Sequence, residues 1–218
     1  MVFRDYKTYV YNPQKTIDES RGEYYSSLLL AMSGRKLLVS RMTQSFLSAI
    51  MKSMKGADTR NCHKIAVPHF RQGAGHWCGP AVLRMLLTHW GIEESESRLA
   101  RRARPNKHDG TPPEKVAAIA SSYGLDVFVG MADSLATLTC FLKQKIPVVV
   151  CYTEPVHNES HYAIVVGITP TLVVLNDPLH GKHFKLSRSS FRRRWHDEHN
   201  RNHRWIMAAS SYPLTKCV

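Results

Sequence analysis

The sequence of 218 residues has no apolar run near the roughly 20 residues that a membrane-spanning helix needs. A secretory signal core is lacking too: the best apolar run near the N-terminus, Leu28 to Met32, is short of the roughly 7–15 residues required. Cysteine is sparse. Cys62, Cys78, Cys140, Cys151 and Cys217 form an odd, scattered set without CxxC pairs, which excludes a disulfide scaffold and points to a reducing compartment. Internal repeats and low-complexity tracts are absent. What remains is the composition of a globular chain, 43% apolar, long enough for one domain with a proper core plus an appendage. A cytoplasmic protein is expected.

Acidic residues are the minority, 17 Asp and Glu against 30 Lys and Arg, giving a net charge of +13. The excess is not uniform. Residues 1–60 hold ten basic against five acidic side chains, 61–181 eleven against ten, and 182–204 eight against two. Because the middle is nearly neutral, the charge does not describe the substrate of any central chemistry, and nucleic acid is not expected as a partner. The basic ends fit a protein partner, a membrane surface or solubility.

Periodicity divides the chain at about residue 61. In residues 1–60, a short strand or extended arm stops at Asn12-Pro13, and Thr16-x-x-Glu19 has capping-box spacing for a helix ending near Ser33-Gly34. Leu38, Met42, Phe46, Ile50 and Met54 recur every fourth residue, predicting an amphipathic helix from Arg35 to Lys55 that packs on the next domain or docks on a membrane or partner. From 61 to 218 the expectations are a strand at Lys64–Phe70 and an apolar core helix at Ala81–Trp90. A charged surface helix and loop follow at 92–108, then a helix at Pro112–Tyr123, a strand at Leu125–Val129 and a helix at Leu135–Gln144. Ile146–Tyr152 reads as a buried strand, and His161–Ile168 with Thr171–Asn176 as an antiparallel hairpin turning at Thr169-Pro170. A short helix at Ser187–Trp195 and a strand at Arg204–Ser210 close the chain. Helices first and strands afterwards define an α+β domain.

The chemistry centres on the segment from Val67 to Ala81. Cys78 opens the core helix, where unpaired N–H groups and the helix dipole favour a thiolate. Gln72, six residues earlier, offers an uncharged amide donor for an oxyanion. A thiol nucleophile needs a base and a group that orients the base. His161 opens an apolar strand that poorly accommodates a polar ring, and Asp177 ends the partner strand, so the hairpin brings the two side by side. Each residue alone has an ordinary structural explanation. Together they make a Cys–His–Asp constellation with Gln72 beside it.

The matching stretches are Val67-Pro68-His69-Phe70-Arg71-Gln72, Cys78-Gly79-Pro80-Ala81, Asp109-Gly110-Thr111 and Tyr123-Gly124-Leu125. His161 to Gly167, Asn176-Asp177-Pro178 and Phe191 to Trp195 complete the set. In order and spacing, residues 64 to 210 resemble the C39-type branch of the papain-like cysteine peptidases, the bacteriocin-processing or double-glycine group and its stand-alone relatives. The resemblance implies a papain-like fold, N-terminal helices packed on an antiparallel sheet, with residues 1–60 as an extra helical segment. It also implies Cys78 as nucleophile, His161 as base and acid, Asp177 as orienter and Gln72 as oxyanion donor, with no cofactor or metal. The substrate would be a peptide or protein, cut in transporter-linked members after two glycines. This sequence carries no transporter or ATPase segment, and 60 residues precede the motif.

Several competitors stay open. His157 could stand in for His161, and Asn176 for Asp177. Cys151 lies mid-strand and reads as core. Gly73-x-Gly75 has no third glycine and no βαβ context for a dinucleotide. His196, His199 and His203 would share a face were 192–203 helical, for a metal or phosphate, although a solvated basic surface explains them as well. The same triad would also serve an acyltransferase or glutamine deamidase, and a module of another class would only dock on a partner or membrane.

Overall fold

The computed structural model describes residues 9–11, 63–215 and 217. The helices expected from Thr16 and from Arg35 lie outside the described residues. The chain divides into two compact units, Met1–Pro13 with Cys62–Val218, and Gln14–Asn61. Every described strand and helix belongs to the first.

The elements in chain order are β1 (Tyr9–Tyr11), β2 (His63–Lys64), α1 (Cys78–His89), α2 (Glu96–Ala103), α3 (Pro113–Ser122), β3 (Asp126–Met131), α4 (Leu135–Lys143), β4 (Val148–Thr153), β5 (Ser160–Ile168), β6 (Leu172–Asp177), β7 (Gly181–Ser187), α5 (Arg188–Arg194) and β8 (Trp205–Ser210). Helix starts follow side-chain chemistry. Ser95, Ser134 and Ser187 each accept a first-turn N–H, from Arg98, Ala136 and Ser190, and Pro113 begins α3 where its missing N–H costs nothing.

The strands form one antiparallel sheet in the order β1-β3-β8-β4-β5-β6-β7, with β2 paired to the far end of β5. Every residue of β4 and β8 is buried. This accounts for the run of β-branched residues without polar alternation, since helices cover what would otherwise be a wet face. The α+β architecture of helices on an antiparallel sheet is therefore as expected. Two readings change. The strand at Lys64–Phe70 shortens to β2, and its remainder runs extended without a ladder. β7 is not among the expected strands, because Gly-Lys-His-Phe-Lys-Leu-Ser lacks regular alternation; it lies at the sheet edge with Lys182 and Lys185 exposed, where lysine is common and discourages further pairing.

Register matters most between β5 and β6. Near the turn, Gly167 pairs with Val174 and Ile168 with Val173, but beyond a bulge at Val166 the partners are Val165 with Leu175 and Ile164 with Asn176. Strand side chains alternate faces, so the one-residue shift exchanges which β6 side chains share a face with His161. Without the bulge it would be Asn176; with it, Asp177.

Cysteine pairing also departs from the sequence expectation. Cys140 and Cys217 form a disulfide, while Cys78 and Cys151 are free. Their separation of 77 residues hid the pair, as no local spacing announces it. The bond fastens the C-terminal segment to α4 beside Gln144, which donates to Cys217 Sγ at 2.9 Å and accepts from Thr215 Oγ1 at 2.6 Å.

Candidate active site

α1 begins at Cys78, with Trp77 at the N-cap position and no side-chain cap. The first-turn N–H groups have no carbonyl of their own helix to bond. The N–H groups of Gly79 and Tyr162 are turned to the Cys78 sulphur. Burial pushes this thiol up, but the hydrogen bond and charge of His161, with those two N–H groups, outweigh it and leave the thiol below its ordinary value.

His161 is 4% exposed. Its Nε2 lies 3.1 Å from Asp177 Oδ1, which leaves Nδ1 for Cys78. Burial opposes the imidazolium, yet Asp177 and the Cys78 thiolate together raise His161 to about 10. Asp177 is fully buried. Burial would raise its carboxyl, and the bonds from His161, the His180 N–H and Tyr152 bring it down to about 2. His161 thus favours the ionised sulphur of Cys78, and Asp177 favours the imidazolium.

Asp177 has further partners. Its Oδ1 accepts the backbone N–H of Leu179 at 2.8 Å and of His180 at 2.7 Å, and its Oδ2 accepts the Tyr152 hydroxyl at 2.6 Å. Tyr152 sits directly opposite His161 across β4 and β5; burial and the neighbouring carboxylate push its hydroxyl up, so the proton stays on oxygen as a donor. Sequence reading missed Tyr152. The available signal was a hydroxyl-bearing ring ending an otherwise apolar strand.

The extended segment 67–72 is stitched to the end of β6. Asn176 Nδ2 donates to the Val67 carbonyl at 2.9 Å, His69 Nε2 lies 2.9 Å from the Asp177 carbonyl, and the Gln72 N–H donates to the Pro178 carbonyl at 3.1 Å. Asn176 is therefore spent on the loop that carries Gln72 and does not face His161. The Gln72 amide itself closes its own turn, donating to the carbonyls of Ala74 at 3.0 Å and Gly75 at 2.6 Å, while its Oε1 is buried and unpartnered. The amide expected as an oxyanion donor is thus engaged within its own turn.

The remaining candidates separate from this group. His157 is an exposed ring 3.5 Å from Glu154. Cys151 is buried, and that burial, with Cys78 nearby, pushes its thiol well up. α5 ends at Arg194, so His196, His199 and His203 do not share a helix face; His196 bonds the carbonyls of Arg193 and Asp197. Among the described residues no group of three His, Cys, Asp or Glu side chains is placed to hold a metal ion, and no helix is long and apolar enough to cross a membrane.

Residues 64–202, more than half of the chain, match the Peptidase_C39 like family. The chain belongs to that family. Solved structures share its fold. The peptidase domain of Streptococcus ComA, a bi-functional ABC transporter involved in a quorum sensing pathway, is 21% identical, covers 69% of this chain and 99% of its own, and has a TM-score of 0.55. A double glycine motif protease from an AMS/PCAT transporter, solved with the leader peptide, is 20% identical over 67% of this chain and 92% of its own, with a TM-score of 0.53. No curated protein matches.

In this C39-like chain one contact fixes the residue after the cysteine. A Cβ on Gly79 would lie 2.5 Å from Oγ1 and 2.7 Å from Cβ of Thr111, itself buried. Gly79→Ala is expected to cost about 1–3 kcal/mol through overpacking and to slow alkylation of Cys78 by displacing the start of α1. A thermal melt and an alkylation rate measured together check this; a variant matching wild type in both contradicts the close-contact account.

Proposed function

We propose that the chain is a cysteine peptidase acting on a peptide or protein through a thioester, with Cys78 as nucleophile, His161 as acid and base, Asp177 as orienter and Gln72 as oxyanion donor. The observation that supports this reading is the buried Cys78–His161–Asp177 group, in which His161 lies 3.1 Å from Asp177, lowers the Cys78 thiol and is itself raised to about 10.

The Cys78 thiolate attacks the scissile carbonyl carbon, and the C=O electron pair moves to oxygen. That oxyanion is held by the Cys78 backbone N–H and by Gln72, which exchanges one of its loop carbonyls for a charged and stronger acceptor. The His161 imidazolium then gives its proton to the departing amine, leaving a thioester and a neutral imidazole. Neutral His161 takes a proton from water as the oxygen attacks the thioester carbon. The Cys78–acyl bond breaks, the carboxylic acid leaves, and the thiolate–imidazolium pair is restored. By likeness to the double glycine motif protease, we propose cleavage after small residues such as Gly-Gly.

The pH dependence follows from these groups. Activity is lost on the acid side as Cys78 takes up a proton. It is lost on the alkaline side as His161 gives up the proton needed by the leaving amine, near its value of about 10. With a fluorogenic Gly-Gly peptide, Cys78→Ala should show no turnover, and His161→Ala or Asp177→Asn should lose about 10²–10⁴-fold in kcat, the usual range for removing acid–base catalysis. Retained turnover in Cys78→Ala sinks the proposal. Carboxylate product marks hydrolysis, and transfer to an added amine marks an acyltransferase.

We further propose that the basic excess of residues 1–60 holds the protein peripherally at an anionic membrane surface. Flotation of the full chain with anionic liposomes should occur at low salt and fail at high salt. Absence of binding at both removes the membrane in favour of a protein partner.

A further inference from the structure

Glu154 follows β4 directly and is 1% exposed, yet the thioester chemistry does not use it. A buried carboxylate is costly unless its oxygens are bonded. It accepts the N–H of Val156 at 2.7 Å and the N–H of His157, which closes the turn after β4, and Arg194 ties that turn down through the Glu154 carbonyl and the Asn158 side chain. Those bonds suffice for the turn. The Glu159 N–H and the His157 ring, each 3.5 Å from Glu154 Oε1, belong to the same turn; one contact reaches beyond it. Glu154 Oε2 lies 3.1 Å from His180 Nε2, across 26 residues of sequence.

His180 belongs to the turn that holds the carboxylate of the triad. Its N–H donates to Asp177 Oδ1 at 2.7 Å, next to the bond that Oδ1 makes with His161. Its ring stacks on Phe184 at 4.6 Å and stands edge-on to His161 at 6.3 Å. The ionisable groups around Glu154 are Tyr152, His157, Arg194 and His180, with Asp177 and His161 beyond them.

We propose that Glu154 and His180 form a second carboxylate–imidazole pair whose task is to position the Asp177 turn, and through it the ring of His161. They are positioning residues: they act on Asp177, not on substrate. The inference rests on Cys78, His161 and Asp177 acting as the proposed triad.

Alkylation of Cys78 by chloroacetamide, followed against pH in the full chain, tests it. Glu154→Gln and His180→Gln should each move the acid limb to higher pH by about one unit, a roughly tenfold loss of thiolate below the transition. The double variant should shift no further than the worse single one, and in an Asp177→Asn background neither change should add to the shift already present. An unmoved limb, or an equal added shift in the Asp177→Asn background, overturns the proposal. Should Glu154→Gln fail to fold, His180→Gln decides alone, since its side chain is 13% exposed and sits at the rim. Failure of wild-type Cys78 to label ahead of Cys151 removes the peptidase reading and this one with it. Selective wild-type labelling with unshifted variants removes only the positioning role.

Discussion

The fully buried carboxylate of Asp177 is the constraint that the site obeys. Removing such a charge from water costs several kcal/mol, whereas each hydrogen bond to a charged group returns about 1.5–3 kcal/mol. Asp177 accepts from His161, Leu179, His180 and Tyr152, so the bonds offset the burial only while all stay in place. The donors come from three parts of the fold: the start of β5, the turn after β6 and the end of β4. The carboxylate can be ionised only when these are assembled, and the imidazolium of His161 exists because the carboxylate does.

That dependence extends outward. The backbone around Asp177 also receives the segment 67–72, through His69 and Gln72, which sets the approach to α1 and hence the position of Cys78. On the opposite side Gly79 lets α1 close on Thr111. Cys78, the proposed nucleophile, is thus fixed from its own helix and from the sheet, as chemistry sensitive to small displacements requires.

Much of this was legible in the chain. Cys78 at a helix start, His161 at a strand opening and Asp177 before a proline carry their positions in local pattern, and the long apolar strands announce themselves. What was hidden depends on tertiary register. Choosing Asp177 over Asn176 rests on a bulge at Val166 that no local residue type demands. β7 is held by its neighbour rather than by its own alternation. The Cys140–Cys217 bond joins residues too distant for spacing to reveal, whereas α5 ends at Arg194, close to the expected end at Trp195, so the condition for a common face of the later histidines is not met. Gln72 was legible as a residue but not in its orientation, which depends on carbonyls of the loop that it closes.

The central claim is that the hydrogen bond and charge of His161 hold the Cys78 thiol below its ordinary value. Its direct measurement is the ultraviolet absorbance of the thiolate, titrated as the difference between wild type and Cys78→Ser, and repeated in His161→Ala. The account predicts that the wild-type signal rises below the ordinary cysteine value and moves to higher pH in His161→Ala. A difference signal that first rises near the ordinary cysteine value of about 8.5, unchanged by loss of His161, would contradict it.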